Sequence, residues 1–268
     1  MINSIILNGP VFLLVFIRCF TMLLTLPLFS MRSVSRIAKI ALAGYMAFFI
    51  FGTVNLDVYS KYLNSEGVAT LEFILVAVGE ALIGVILGFY ITIIFAAFST
   101  AGQFTAFQMG FSAASTYDAL SQVENPLMGQ FFNFIAMLIF IQGKWFQKLF
   151  LGGLVNSFST LNCFNLVENN ERLVTFILKG LTKLFADAMI IALPVMGTLV
   201  LITICTGLLT KAAPQMNLLS EGFPVMILTS FLIILSLIPN LVDFFMRSFE
   251  GGFANLEQLF KVLQRRFG

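Results

Sequence analysis

Four carboxylates, Glu72, Glu80, Asp187 and Asp243, lie within or near long apolar runs of this chain. An ionisable group at membrane depth is costly, so each is a functional candidate until a neutralising partner is found. Lys183 and Asp187 stand four residues apart, the spacing of an intrahelical ion pair. Glu80 has no local cation, which leaves a partner on another subunit or a position at headgroup level. Ser112, in GFSAAS, follows the Gly-Phe pair as a nucleophile might, but the 268 residues contain no histidine to serve as its base. The lack of imidazole also excludes Ser-His and Cys-His catalysis and an ordinary catalytic zinc site. Cys19, Cys163 and Cys205 are odd in number and widely spaced, unlike a disulfide framework or a ligand set. No phosphate-binding Gly-Lys-Ser/Thr motif is present. The reading is therefore of a protein that is not an enzyme and needs no metal or cofactor.

The elements that position these residues are dictated by composition. Fifty-nine per cent of the chain is hydrophobic, 10% is charged, and 32 residues are Phe. This balance belongs to an integral membrane protein, and a net charge of +2 gives no footprint for nucleic acid. Spans of roughly 20 apolar residues are needed to cross a bilayer. The sequence predicts an all-α fold of six long helices, near 5–31, 37–56, 70–100, 130–161, 173–210 and 223–247. Gly79, Gly84 and Gly88, then Pro194 and Gly197, then Pro239 suggest kinked or split helices. Gly84 and Gly88 have the spacing that lets helix backbones approach closely.

Charge distribution sets a topological problem. Arg32, Arg36 and Lys39 mark one turn as cytoplasmic, and Lys261, Arg265 and Arg266 mark the C-terminal tail likewise, which six simple crossings cannot satisfy. No Lys or Arg lies between Lys61 and Lys144. Trp145, between Lys144 and Lys148, has the composition of an interfacial anchor. The tail, 250–268, is amphipathic, with apolar residues at 253, 256, 259, 260, 263 and 267, as for a helix lying on the membrane or docking a partner.

Between the third and fourth apolar regions runs FQMGFSAASTYDALSQVENP, rich in small residues and free of cations. Further on, GLLTKAAPQMNLLSEGFPVMI reads as a helical hairpin, with Lys211 closing one helix and Pro214, Gln215 and Asn217 in the turn. Together with EALIGVILGF (80–89), AGQFTAFQMGFS (101–112), NPLMGQFFNF (125–134), ALPVMGTLVL (192–201) and KAAPQMNLLSEGFPV (211–225), these strings resemble the FliR family of flagellar export-gate proteins and its counterparts in virulence type III secretion.

The resemblance implies one membrane domain, 1–268, with a FliP-like N-terminal portion and a FliQ-like C-terminal hairpin. It implies assembly with FliP-like and FliQ-like subunits and FlhB in the bacterial inner membrane at the flagellar basal body, where the complex exports unfolded polypeptides. It also implies that the loop within 101–129 is a pore plug. Gly110, Ser112, Ala113, Ala114 and Ser115 would then let it rearrange, and Phe107, Met109, Phe111 and Tyr117 would supply apolar bulk. Glu80, Gly84, Gly88, Lys211, Pro214, Gln215 and Asn217 become candidates for helix packing or subunit contact. A secondary transporter for a small solute, coupled through Glu80 or Asp187, is the alternative reading.

Overall fold

The computed structural model describes residues 8–30, 34–54, 59, 71–110, 127–161, 169–212 and 222–264. In chain order the helices are α1 (Gly9–Thr25), α2 (Pro27–Ser30), α3 (Arg36–Thr53), α4 (Leu71–Gln108), α5 (Leu127–Gln142), α6 (Trp145–Thr160), α7 (Asn170–Ala212) and α8 (Phe223–Gln264). No strand occurs among the described residues. Helices α3, α4, α7 and α8 are each long and apolar enough to cross a membrane, and the bent pair α5–α6 makes a fifth candidate. The chain is a multi-pass, all-α membrane protein.

Two compact units share these helices: residues 1–93, 144–180 and 251–268 form unit 1, and 94–143 with 181–250 form unit 2. In unit 1, α1 packs along α3, and Val11 and Leu14 meet Tyr59 and Val76 in a buried cluster. In unit 2, Phe95 and Phe98 of α4, Phe140 of α5, and Phe245 and Phe249 of α8 form an aromatic core with ring centroids 4.0–5.5 Å apart. Large rings at such separations supply much buried apolar area together with favourable edge contacts.

None of the glycines and prolines singled out in the sequence splits its helix. α4 is continuous through Gly79, Gly84 and Gly88, α7 through Pro194 and Gly197, and α8 through Pro239. A proline removes one backbone hydrogen bond, and the remaining turns of a helix about 40 residues long can hold it intact. The fourth apolar region is the one that breaks. At Gly143–Lys144 the chain turns by 68°, with Lys144 in the left-handed region at φ 54°. The tail is no separate interfacial helix either: it is the end of α8. Its apolar face, Phe253, Leu256, Phe260 and Leu263, is buried within the chain. Trp145, expected as an interfacial anchor, is also buried, stacked on Phe253 at 5.1 Å with the Lys148 ammonium 3.8 Å from its ring centre.

Candidate functional site

The candidate plug begins where α4 ends. Backbone bonds from Met109 to the Thr105 carbonyl and from Gly110 to the Phe107 carbonyl complete the last turn. Gly110 then takes φ +83°, which a residue with a Cβ adopts only with strain. The ring of Phe223, the first residue of α8, lies where that Cβ would stand. Phe107 is 74% exposed, whereas Met109 is fully buried and packs inward, so of these two candidate plug residues only Phe107 offers its side chain to the outside. Phe111, Ser112, Ala113, Ala114, Ser115 and Tyr117 lie outside the described residues. On the far side of the connection, α5 starts against α4: a Cβ on Gly102 would meet the Met128 carbonyl and the Gly129 backbone. The backbone contact at Gly102 clamps the two helices from which the connection is slung.

We expect Gly110→Ala to destabilise the end of α4 by about 1 kcal/mol from the backbone conformation alone, and by more once Phe223 is displaced. Protease nicking between residues 107 and 127 should then accelerate; an unchanged cleavage rate would argue that Gly110 does not set the exit of α4.

In unit 1 the structure overturns both readings of Glu80. Its Oε2 accepts from Arg18 Nε at 2.6 Å, and both side chains are fully buried. Arg18 lies in the middle of α1, a lone cation in an apolar run that the sequence pattern does not single out. Its Nη1 donates to Ser157 Oγ at 2.9 Å, and its Nη2 donates to the Leu161 carbonyl at 2.9 Å and to Tyr59 Oη at 3.3 Å. Tyr59 donates onward to Glu80 Oε1 at 2.9 Å, and Ser157 donates to the Leu154 carbonyl at 2.6 Å. The guanidinium also lies 4.0 Å from the centre of the Phe158 ring. Four of the five guanidinium N–H groups and both carboxylate oxygens are thus engaged, which is what makes a buried ion pair tolerable.

The middle of α6 is built to reach this pair. Leu149–Val155 form wide, π-helical turns. An extra residue in a turn rotates the next stretch of helix by about 100°, so Ser157 and Phe158 arrive on the Arg18 side. Chemically the network is closed. It neutralises Glu80, one of the two carboxylates through which the solute-coupled alternative was to work.

Asp187 does not pair with Lys183. It accepts a hydrogen bond from Ser248 Oγ at 2.8 Å, joining α7 to α8 within unit 2. Lower in the hairpin, Thr203 Oγ1 donates to Met226 Sδ at 3.7 Å. Lys211 is exposed in the last turn of α7, and Pro214, Gln215 and Asn217 lie outside the described residues.

Gly84 and Gly88 face α1 of the same chain at close range. A Cβ on Gly84 would meet Thr21 Oγ1 and the Arg18 carbonyl, and one on Gly88 would meet Thr25 Oγ1 and the Met22 carbonyl, all on α1.

Residues 10–252 match the family described as Bacterial export proteins, family 1. The chain belongs to the FliR family. It is 33% identical over 239 residues to the flagellar biosynthetic protein FliR of Bacillus subtilis, covering 87% of this chain and 88% of that protein. It is 27% identical over 266 residues to the flagellar biosynthetic protein FliR of Borreliella burgdorferi, covering 98% of this chain and 96% of the relative. The surface presentation of antigens protein SpaR of Shigella sonnei is 30% identical over 159 residues, 58% of this chain and 59% of its own. Full-length coverage by FliR proteins embraces both units and the α4–α5 connection. None of these relatives bears the name of a solute transporter, and the transporter alternative gains no support.

Proposed function

We propose that the chain is a structural, non-enzymatic subunit of the flagellar protein-export gate, helping to form and close the conduit for unfolded flagellar proteins. Membership of the FliR family supports a flagellar export role. The observation that carries the closing role is the exit of α4. A glycine in the left-handed conformation ends the helix beside an exposed Phe107, between two helices held at backbone contact by Gly102. Small residues in 111–126 permit rearrangement, and Phe111 and Tyr117 with Phe107 provide bulk to exclude water and ions.

The partners in this reading are FliP-like and FliQ-like subunits and FlhB, in the bacterial inner membrane. Many large apolar side chains of α7 and α8 are exposed on the isolated chain, Leu201, Leu208, Leu228 and Leu235 among them, as suits contact with lipid and with membrane neighbours. The assembled gate, reconstituted with residues 110–116 replaced by a shorter linker, should leak ions at rest. Unchanged resting conductance would count against the plug; co-purification without FliP-like or FliQ-like proteins would count against the assembly.

A further inference from the structure

Unit 1 is polarised in charge along its helices. α1 and α4 run side by side in one direction, with Val11 and Leu14 near Val76, Arg18 on Glu80, and Thr25 at Gly88. α3 runs the opposite way, since Phe51 meets Phe12. Its first turn, with Arg36 and Lys39, is therefore at the end where α1 finishes. α6 starts at that same end: Phe146 packs on Phe29, while Ser157 and Phe158 reach Arg18 lower down. α7 arrives there too, with Phe176 and Gly180 against Tyr90, two residues before the Thr92 hydroxyl that donates to the Thr25 carbonyl.

The segments traced to this end carry five cations, Arg36, Lys39, Lys144, Lys148 and Lys179. The described acids of unit 1 are four. Glu72 is at the opposite end of α4, Glu80 is engaged by Arg18, Glu171 is two turns before Lys179, and Glu257 is a turn beyond Phe253. Lys39 is the telling member. It lies on the buried face of α3 with Ala43, Met46, Ala47 and Ile50, is only 9% exposed, and makes no hydrogen bond or ion pair among the described residues. The stem is covered by the helix face while the ammonium at its tip is left without a counter-charge among the described residues.

We propose that this end of unit 1 seats the headgroups of anionic phospholipid, with Lys39 as the inner ligand and Arg36, Lys144, Lys148 and Lys179 around it. The setting favours lipid over an acidic protein. Exposed apolar side chains alternate with the cations on the same helices: Ile37 and Ile40 flank Arg36 and Lys39, Leu151 follows Lys148, and Val174 and Leu178 precede Lys179. Acyl chains cover such residues while lysine and arginine stems extend to the phosphate, each cation near an anionic leaflet adding to the attraction.

The full chain in neutral detergent, titrated separately with phosphatidylglycerol and phosphatidylcholine and read by native mass spectrometry, tests this. Phosphatidylglycerol should be retained several-fold more, and the preference should vanish on raising the salt. Substituting Gln for Lys39, Lys144, Lys148 and Lys179 together should bring retention down to the phosphatidylcholine level, while Arg at the same four positions should preserve it. Equal retention of the two lipids by the unaltered chain, or a preference that survives high salt, overturns the proposal. So does a Gln variant that keeps the lipid and instead loses a co-purifying acidic protein. The salt series needs no variant, so misfolding of the Gln chain leaves the test intact.

Discussion

Arg18→Ala is expected to lose about 3–5 kcal/mol of stability, the typical cost of breaking a buried pair by deleting one partner. The deletion leaves a fully buried Glu80 carboxylate whose remaining donor is Tyr59, and it takes the Arg18 donor away from the Leu161 carbonyl. Glu80→Gln keeps an acceptor for Tyr59 but leaves a buried guanidinium uncompensated, so it should also be severe. The apolar double variant Arg18→Met/Glu80→Leu removes both charges and should recover a large part of the loss. Steady-state abundance in the membrane, thermal unfolding in detergent and swarming motility are the readouts. Arg18→Ala at normal abundance and unfolding temperature would sink the view that this network holds unit 1 together. A double variant as damaged as either single one would instead mean that the polar network specifies the arrangement of α1, α4 and α6, beyond balancing charge.

This pair shows what a sequence does and does not expose. Glu80 stands out because a carboxylate within an apolar helix demands a partner. Arg18 makes the same demand within α1, and the two are 62 positions apart. Each is the unexplained residue that the other explains, yet composition and spacing relate residues only within one helix. Lys183 and Asp187 illustrate the converse, since their four-residue spacing is correct for a pair and Ser248 takes the carboxylate instead.

Periodicity performed better than its interpretation. The apolar positions 253, 256, 260 and 263 of the tail are buried, but their cover is the chain itself, with Trp145 stacked on Phe253. Proline and glycine do not split α4, α7 or α8, because propensity is a local preference that surrounding helix and tertiary packing override. The real break, at Gly143–Lys144, depends on a positive φ at a lysine, which no propensity rule anticipates. Of the candidate plug, Gly110 was legible as a small residue in a loop-like stretch, and its contact with Phe223, more than 100 positions on, was not.

Gly84 and Gly88 carry the second large effect, and here the spacing pointed to close packing without naming the partner. α1 approaches α4 so nearly that a methyl group at either position meets backbone as well as side chain. Thr21 and Thr25 present flat faces there because their hydroxyls bond back to α1 carbonyls, Thr21 to Ile17 at 2.9 Å and Thr25 to Met22 at 2.9 Å. Gly88→Val should therefore force the helices apart, at more than the roughly 1–3 kcal/mol usual for overpacking. Because Arg18 lies on the same face of α1, the shift would also lengthen its 2.6 Å contact with Glu80. Trimming the threonine distinguishes this from a simple side-chain clash. Thr25→Ala removes the hydroxyl nearest the new Cβ, but the Met22 carbonyl remains 2.7 Å away, so Gly88→Ala/Thr25→Ala should be rescued only in part. At Gly84 the residual obstacle is the Arg18 carbonyl, and Thr21→Ala should help Gly84→Ala less still. Disulfide trapping between cysteines introduced on α1 and α4 would report the separation directly. Full rescue by either threonine substitution would show that side chains, and not the two backbones, set the distance between these helices.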